Sequence, residues 1–369
     1  MALTADERRL WLSLHLVPGL GSTLFKRLVT HFGSPREVFK ARLEELAGIH
    51  GVSKAMARRI LGRQHDIDPE GELRKADRIG VRILCLPDEG YPESLRQIHN
   101  PPMVLYIKGV DIPQDALLFA MVGSRNPTDY GLRSAERLAA GLAARGAWIV
   151  SGLARGIDAA AHWGALLGGG STVAVLGTGI DCVYPPENEA LSLRITEKGC
   201  LVSEFPLGTH PEPRNFPIRN RIISGLSKGV VVVEAAKRSG SLITASAALE
   251  QGRDVFAVPG SIGSFVSVGT HQLIKQGAKL VEHAEDVLEE YGWSGLVRSR
   301  PTEPGPSTDD LSAAERVVYE RLSDYPLHID EIVRTAAGMD AGTVTGILLK
   351  LELQGLVKQH QGKMFTREV

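Results

Sequence analysis

Between residues 116 and 290 the chain alternates short apolar runs with helical stretches, and this constrains its fold more than any other feature. The runs cover 117–122, 148–151, 172–176, 201–203, 230–233, 255–258 and 279–281. A run such as Gly229-Val230-Val231-Val232-Val233 has no polar face, so it suits a strand buried on both sides. Between most runs lie stretches of helical periodicity, such as 132–144 and 159–167. Strand and helix in repetition predict an α/β fold with a doubly wound, mostly parallel sheet.

The flanks read differently. Residues 1–65 form short helices split by glycine turns, with Thr4 and Glu7 spaced as a capping box at the first. The turns Val17-Pro18-Gly19-Leu20-Gly21 and Gly48-Ile49-His50-Gly51-Val52 each open onto a helix near basic residues. They resemble helix-hairpin-helix units, whose free N–H groups can hold a phosphate. A plain helical bundle with ordinary loops would give the same pattern. Residues 294–309 hold three prolines and two glycines and read as a linker. Beyond them, helices over 313–322, 329–336 and 341–354 precede a short hairpin, a winged-helix pattern. The expected organisation is a small helical domain over 1–75, the α/β domain over 76–293, the linker, and a winged helix over 310–369.

Charge is unevenly spread along this frame. The 369-residue chain has a net charge of −1, which argues against a coat for duplex DNA. Residues 1–65 nevertheless carry 11 Lys/Arg against 5 Asp/Glu, whereas 309–369 carry 7 against 10. Cys85, Cys182 and Cys200 form no CxxC pair, so a reducing cytoplasm without structural zinc is expected. The start MALTADERRL is too charged for a signal peptide, and no apolar run is long enough for a membrane span.

In a doubly wound sheet, ligands sit beyond the carboxyl ends of the strands. The first such loop, Met121-Val122-Gly123-Ser124-Arg125-Asn126-Pro127, has one glycine of the three a dinucleotide fingerprint needs. With Arg125 it suits an anion but not a whole cofactor, and no cofactor is expected. The second loop carries Arg155, then Asp158 and His162 four residues apart on one helix face. No third ligand stands nearby, so a structural role is favoured over a metal or acid–base pair. The richest stretch is Pro213-Arg214-Asn215-Phe216-Pro217-Ile218-Arg219-Asn220-Arg221. Cations that track phosphates, with a ring on which a base stacks, suit a single-strand site. Lys237-Arg238-Ser239-Gly240-Ser241 adds two more cations and a glycine turn.

At these residues the chain resembles the DprA/Smf family of DNA-processing proteins. The resemblance rests on GYPESLRQIHNPPMVLYIKG, MVGSRNPTDYG, VSGLARGIDAAAH, VAVLGTGIDCVYPPEN, SEFPLGTHPEPRNFPIRNRIISGLS, VVVVEAAKRSGSLITA and FAVPGSI. It implies a Rossmann-like domain that binds and protects single-stranded DNA in natural transformation and loads the recombinase RecA. It also implies a homodimer, with a single-strand-binding protein as a further partner, and no enzymatic activity. The implied DNA site comprises Gly123, Ser124, Arg125, Arg155, Arg214, Phe216, Arg219, Asn220, Arg221, Lys237, Ser239, Gly240 and Ser241. Residues 269–281 are expected to form the dimer contact, with His271, Leu273, Ile274 and Leu280 in it and the last strand near a sheet edge. Gly269-Thr270-His271 stands where the family's Gly-x-Asn is expected.

The rival class is a nucleotide-hydrolysing enzyme of the phosphoribohydrolase type, whose PGGxGTxxE motif supplies a carboxylate. Here Pro259-Gly260-Ser261-Ile262-Gly263-Ser264 lacks the second glycine, and Ser267 stands in place of the glutamate. In the winged helix, the third helix offers only Lys350 as a cation, which favours a protein-contact or regulatory role over DNA reading.

Overall fold

The computed structural model describes residues 3–293, 311–323, 326–336, 338–360 and 362–367. The expected linker over 294–309 lies outside them. The chain divides into two compact units, residues 1–298 and 299–369.

The first unit is built on nine strands. They are β1 (Val81–Cys85), β2 (Val104–Gly109), β3 (Leu118–Val122), β4 (Trp148–Ser151), β5 (Thr172–Leu176), β6 (Cys200–Ser203), β7 (Gly229–Val232), β8 (Asp254–Ala257) and β9 (Lys279–Leu280). Their order across the sheet is β1-β2-β6-β5-β4-β3-β7-β8-β9. From β6 to β9 all neighbours run parallel, while β2 pairs antiparallel with both β1 and β6. The chain steps outward from β3 through β4, β5 and β6, then returns to start again at β7. The switch point therefore lies between β3 and β7, where a crevice opens at the carboxyl ends.

Burial explains why these segments are strands. Leu118, Ala120 and Val122 of β3 enter one core while Phe119 and Met121 enter another, and β7 divides its valines the same way. Each run thus has two apolar faces because helices cover both sides. β1 and β2 were not among the expected strands. β1 alternates buried and half-buried residues, and the pair is joined by a four-residue helical turn rather than a crossover helix.

The amino-terminal helices pack onto this sheet. Trp11, Phe25, Leu28 and Ile60 share one core with Val104, Tyr106, Leu176 and Leu201. A buried polar seam joins the layers. Arg221 Nη2 lies 2.5 Å from Glu204 Oε2 and 3.3 Å from Ser22 Oγ, and its Nη1 donates to Asn100 O at 2.7 Å. His15 Nε2 donates to Glu204 O at 3.1 Å.

The second unit has helices Ala313–Arg321, Ile329–Thr335 and Ala341–Leu353 around Val318, Ile332, Val344, Leu348 and Phe365. Its strands β10 (Leu327–His328), β11 (Val357–His360) and β12 (Met364–Arg367) pair antiparallel in the order β10-β12-β11. The expected hairpin is β11–β12, and β10 adds a third strand. Lys350 is held 2.5 Å from Glu315, so the one cation of the third helix is engaged within the unit.

Removing one partner of a buried ion pair leaves the other charge uncompensated. Glu204→Ala should therefore lower unfolding stability by about 3–5 kcal/mol in urea titrations.

Candidate nucleic-acid interface

The loops after β3, β4, β5 and β7 and the helix Asn215–Leu226 enclose a cavity of about 700 Å³ at the switch point. Its walls include Gly123, Ser124, Arg125, Asp158, Tyr184, Phe216, Arg219, Asn220, Ser239, Gly240 and Ser241. Most of the expected site residues are thus brought together.

Close packing sets the first loop. Thr128 donates from its N and Oγ1 to the buried Glu234 carboxylate at 2.9 and 2.5 Å, and its Oγ1 accepts from Gly131 N. Burial pushes the Glu234 pKa up, against the two bonds from Thr128. From the side, Gly156 presses on the same loop with φ +74°, and a Cβ there would lie 2.5 Å from Ser124 O. Only glycine suits both the dihedral and the contact.

The second loop hangs on Asp158. Its Oδ2 accepts from Gly152 N at 3.1 Å and Ala154 N at 3.4 Å. Burial raises its pKa, opposed by the Arg219 charge. His162 is fully buried, with Nδ1 2.7 Å from Thr172 Oγ1. Burial drives its pKa down to about 3, so the ring is neutral. The structural reading of this pair fits these contacts. Among the described residues, no three His, Cys, Asp or Glu side chains converge as a metal site.

The helix Asn215–Leu226 sorts its polar residues by direction. Phe216, Arg219 and Asn220 share the cavity side, as spacings of three and four residues require. Phe216 is half-buried, with the Arg125 guanidinium 5.4 Å from its ring centre and the exposed Tyr184 ring at 5.9 Å. Arg125 is exposed and has no ion-pair partner among the described residues. Arg219 is 3% exposed and donates from Nη1 to Gly152 O at 2.6 Å and to Val175 O. Burial lowers its pKa to about 10, with Asp158 opposing, so it stays cationic at neutral pH.

Several expected residues lie elsewhere or are committed. Arg221 turns away from the cavity into the seam with Glu204, because it is one residue beyond the cavity-facing side. Arg214 is exposed and paired with Glu212 at 2.6 Å. Lys237 is exposed, outside the cavity wall. Arg155 borders a smaller adjoining pocket with Arg125, Tyr184 and Phe216, and it pairs with Glu187. Tyr184 was missed by the sequence reading, its signal being an aromatic in a loop after β5.

The expected dimer contacts also divide. β9 is at the sheet edge and Leu280 is 42% exposed. Leu273, by contrast, is buried among the sheet's own apolar residues and is not available to a partner. His271 and Ile274 are half-buried, and His271 Nε2 donates to Gly260 O at 3.0 Å.

Comparison with known proteins places this geometry. Residues 82–292 match the family described as DNA recombination-mediator protein A, and 302–363 match the DprA winged helix domain. Protein Smf of Synechocystis is 36% identical over 98% of this chain and 99% of its own length. The chain belongs to the DprA/Smf family. DNA processing protein DprA of Streptococcus pneumoniae is 49% identical over 55% of this chain and 72% of its own. A solved DprA structure from that species aligns with TM-score 0.67 and 38% identity, covering 79% of this chain and 99% of the other. The Helicobacter pylori DprA, solved for its single-stranded DNA binding mode, aligns at TM-score 0.53 and 29% identity, covering 58% and 97%. The family's Rossmann-like and winged-helix domains are both present.

Two outcomes follow from these contacts. Gly156→Ala should lose about 1–3 kcal/mol of stability through strain at the first loop, read as a lower urea midpoint. His162, depressed to about 3 from 6.5, contributes stability that is complete above pH 6.5 and falls as pH drops toward 3. Between pH 7 and pH 5 that loss approaches about 2 kcal/mol. The His162→Asn variant should show a smaller pH-dependent loss than wild type over that range.

Proposed function

We propose that this protein binds single-stranded DNA in the switch-point cavity and passes it to a recombinase of the RecA type. The observation that carries the reading is Phe216, half-buried on the cavity wall with the unpaired Arg125 guanidinium 5.4 Å from its ring centre. A ring and a free cation at one point serve a base and its phosphate together. Ser239, Gly240 and Ser241 add small polar groups to the cavity lining, next to Asn220, whose Nδ2 donates to Gly240 O at 3.4 Å. The single-strand binding described for the H. pylori relative supports the same ligand.

Protection of incoming DNA, RecA loading, contact with a single-strand-binding protein and a cytoplasmic location are part of this proposal through the family. So is the homodimer, for which the β9 edge, Leu280 and Ile274 are the surface left after Leu273 is assigned to the core. The winged helix acts in this scheme as a protein-contact module, since Lys350 is already bound to Glu315.

A binding protein is favoured over a phosphoribohydrolase. Asp158 is the one carboxylate on the described cavity wall, and its Oδ2 is occupied by two backbone N–H groups. Ser267 is buried and accepts no catalytic role from its position. Release of free base from nucleoside monophosphates would overturn this preference.

Phe216→Ala should weaken binding to a single strand by about 1–3 kcal/mol without changing the salt slope. Arg125→Gln should instead flatten that slope by about one unit, equally for all sequences. Oligonucleotide titrations at several salt concentrations distinguish the two. A well-folded Phe216→Ala variant that binds as wild type would leave the cavity without its stacking role. Equal affinity for single and double strands throughout the salt range would sink the single-strand reading.

A further inference from the structure

A cavity of about 700 Å³ holds a short piece of a polymer, and the rest of the strand continues beyond its walls. The loops it can follow are set by the order of the strands beneath them. Across the sheet that order is β5, β4, β3, β7 and β8. Their carboxyl-end loops carry, in the same order, Tyr184, Arg155, Arg125, the pair Lys237-Arg238, and Phe265. An aromatic ring thus stands at each end of the row, and cations stand between. Four intervals at a strand spacing of about 4.8 Å give a row of roughly 19 Å. A single strand with a charge every 3.4 Å or so places about six nucleotides along it.

The far end of the row is tied to the cavity through the backbone. Ala236, Ser239 and Gly240 of the β7 loop line the cavity, so Lys237 and Arg238 stand between residues of its wall. The neighbouring Ala235 grips the β8 loop. Its N donates to Val266 O at 2.7 Å, and its O accepts from Gly269 N at 2.7 Å. A Cβ at Gly269 would lie 2.7 Å from Ala235 O, so the two loops meet without room for a side chain. Phe265 opens a short helical turn, Phe265–Ser267, that runs into the helix Val268–Lys275. Ser267 is buried and donates from its N to Ser264 O at 3.1 Å, which fixes the turn.

The groups presented there are left free by the fold. Phe265 is 73% exposed, the one exposed phenylalanine among the described residues, and it joins none of the apolar cores. Lys237 and Arg238 are exposed and form no ion pair among the described residues. No Asp or Glu occurs in 235–249 or 259–281 to repel a phosphate. A second copy of the chain is a poor cover for this patch. An isologous contact would set the same two cations against themselves. A single strand brings what both features lack, a base face for the ring and phosphates for the cations.

We propose that Phe265 is a second base-stacking platform, and that the strand crosses the carboxyl edge of the sheet from Tyr184 to Phe265. Lys237 and Arg238 carry the phosphates between the cavity and that platform. The inference rests on the cavity as the single-strand site and gives that site a direction and a length. The contact is sequence-tolerant, because every base has a face to stack and phosphates carry no sequence.

The test uses the full chain at low salt with labelled oligothymidylates graded from about 4 to about 12 nucleotides. Phe265→Ala should lower affinity for the longest strands by about fivefold or more and leave the shortest within about twofold. Phe265→Trp should bind as wild type, whereas Phe265→Leu should bind as the alanine variant, since only a ring stacks on a base. K237Q/R238Q should flatten the salt slope for long strands by about 1.4 units, two phosphate contacts at 0.7 each. Unchanged melting curves confirm the fold of every variant. Long-strand affinity of Phe265→Ala within about twofold of wild type would overturn the proposal. So would an equal loss on short and long strands, or full affinity in Phe265→Leu. Sedimentation in which Phe265→Ala loses self-association would assign the ring to a contact between copies and overturn it too. Failure of the cavity reading appears separately, as affinity for the shortest strands that ignores Phe216→Ala.

Discussion

The geometry of the cavity depends on one buried cation. Arg219 reaches from the helix Asn215–Leu226 to the carbonyls of Gly152 and Val175, at the carboxyl ends of β4 and β5. Gly152 follows the last residue of β4, and Val175 is the penultimate residue of β5, so one side chain ties the ends of both strands. Asp158 supplies the opposing charge while holding the second loop by two backbone N–H groups. Burial penalises the guanidinium charge, and the Asp158 carboxylate opposes that penalty. Arg219 thus fixes the helix across the strand ends, and the helix in turn presents Phe216 and Asn220 to the cavity.

Arg219 and Arg221 belong to one Arg-Asn-Arg string and do different work. Successive residues on a helix are turned by about 100°, so three neighbours cannot share one surface. Arg219 and Asn220 border the cavity, Arg219 with its guanidinium bonded to the strand ends, and Arg221 ties the helix to Glu204, Asn100 and Ser22. The helix that carries Phe216 is therefore bonded to the amino-terminal layer through Arg221.

The core strands were legible in the sequence because burial on both faces leaves an uninterrupted apolar run. Where burial is one-sided, as in β1, polar residues interrupt the run and the signal weakens. The cavity lining was legible as a stretch but not residue by residue. Treating 213–221 as a basic loop made all three arginines equivalent, whereas the helical period separates them. Leu273 shows the same limit: apolar residues in a short amphipathic helix point to core or partner with equal force, and only packing decides. Tyr184 lies in a loop whose position depends on the fold of β5, so an aromatic in a loop was too weak a signal to place it at the cavity.

A net charge of −1 conceals strong local fields. Arg125 at the cavity, and Lys54, Arg58 and Arg59 in the amino-terminal layer, are exposed and form no ion pair among the described residues. Many other arginines of the first unit are bound to carboxylates at their own surface, as Arg9 is to Asp6 and Glu70. Exposed pairs of this kind contribute little stability, with a typical value below about 1 kcal/mol. Their larger effect is on specificity. Each paired arginine is withdrawn from phosphates, so an extended polyanion finds attraction at a few points rather than along the whole surface. Pairing of this kind leaves the cations that stand outside it, Arg125 at the cavity among them, as the points of strongest positive field.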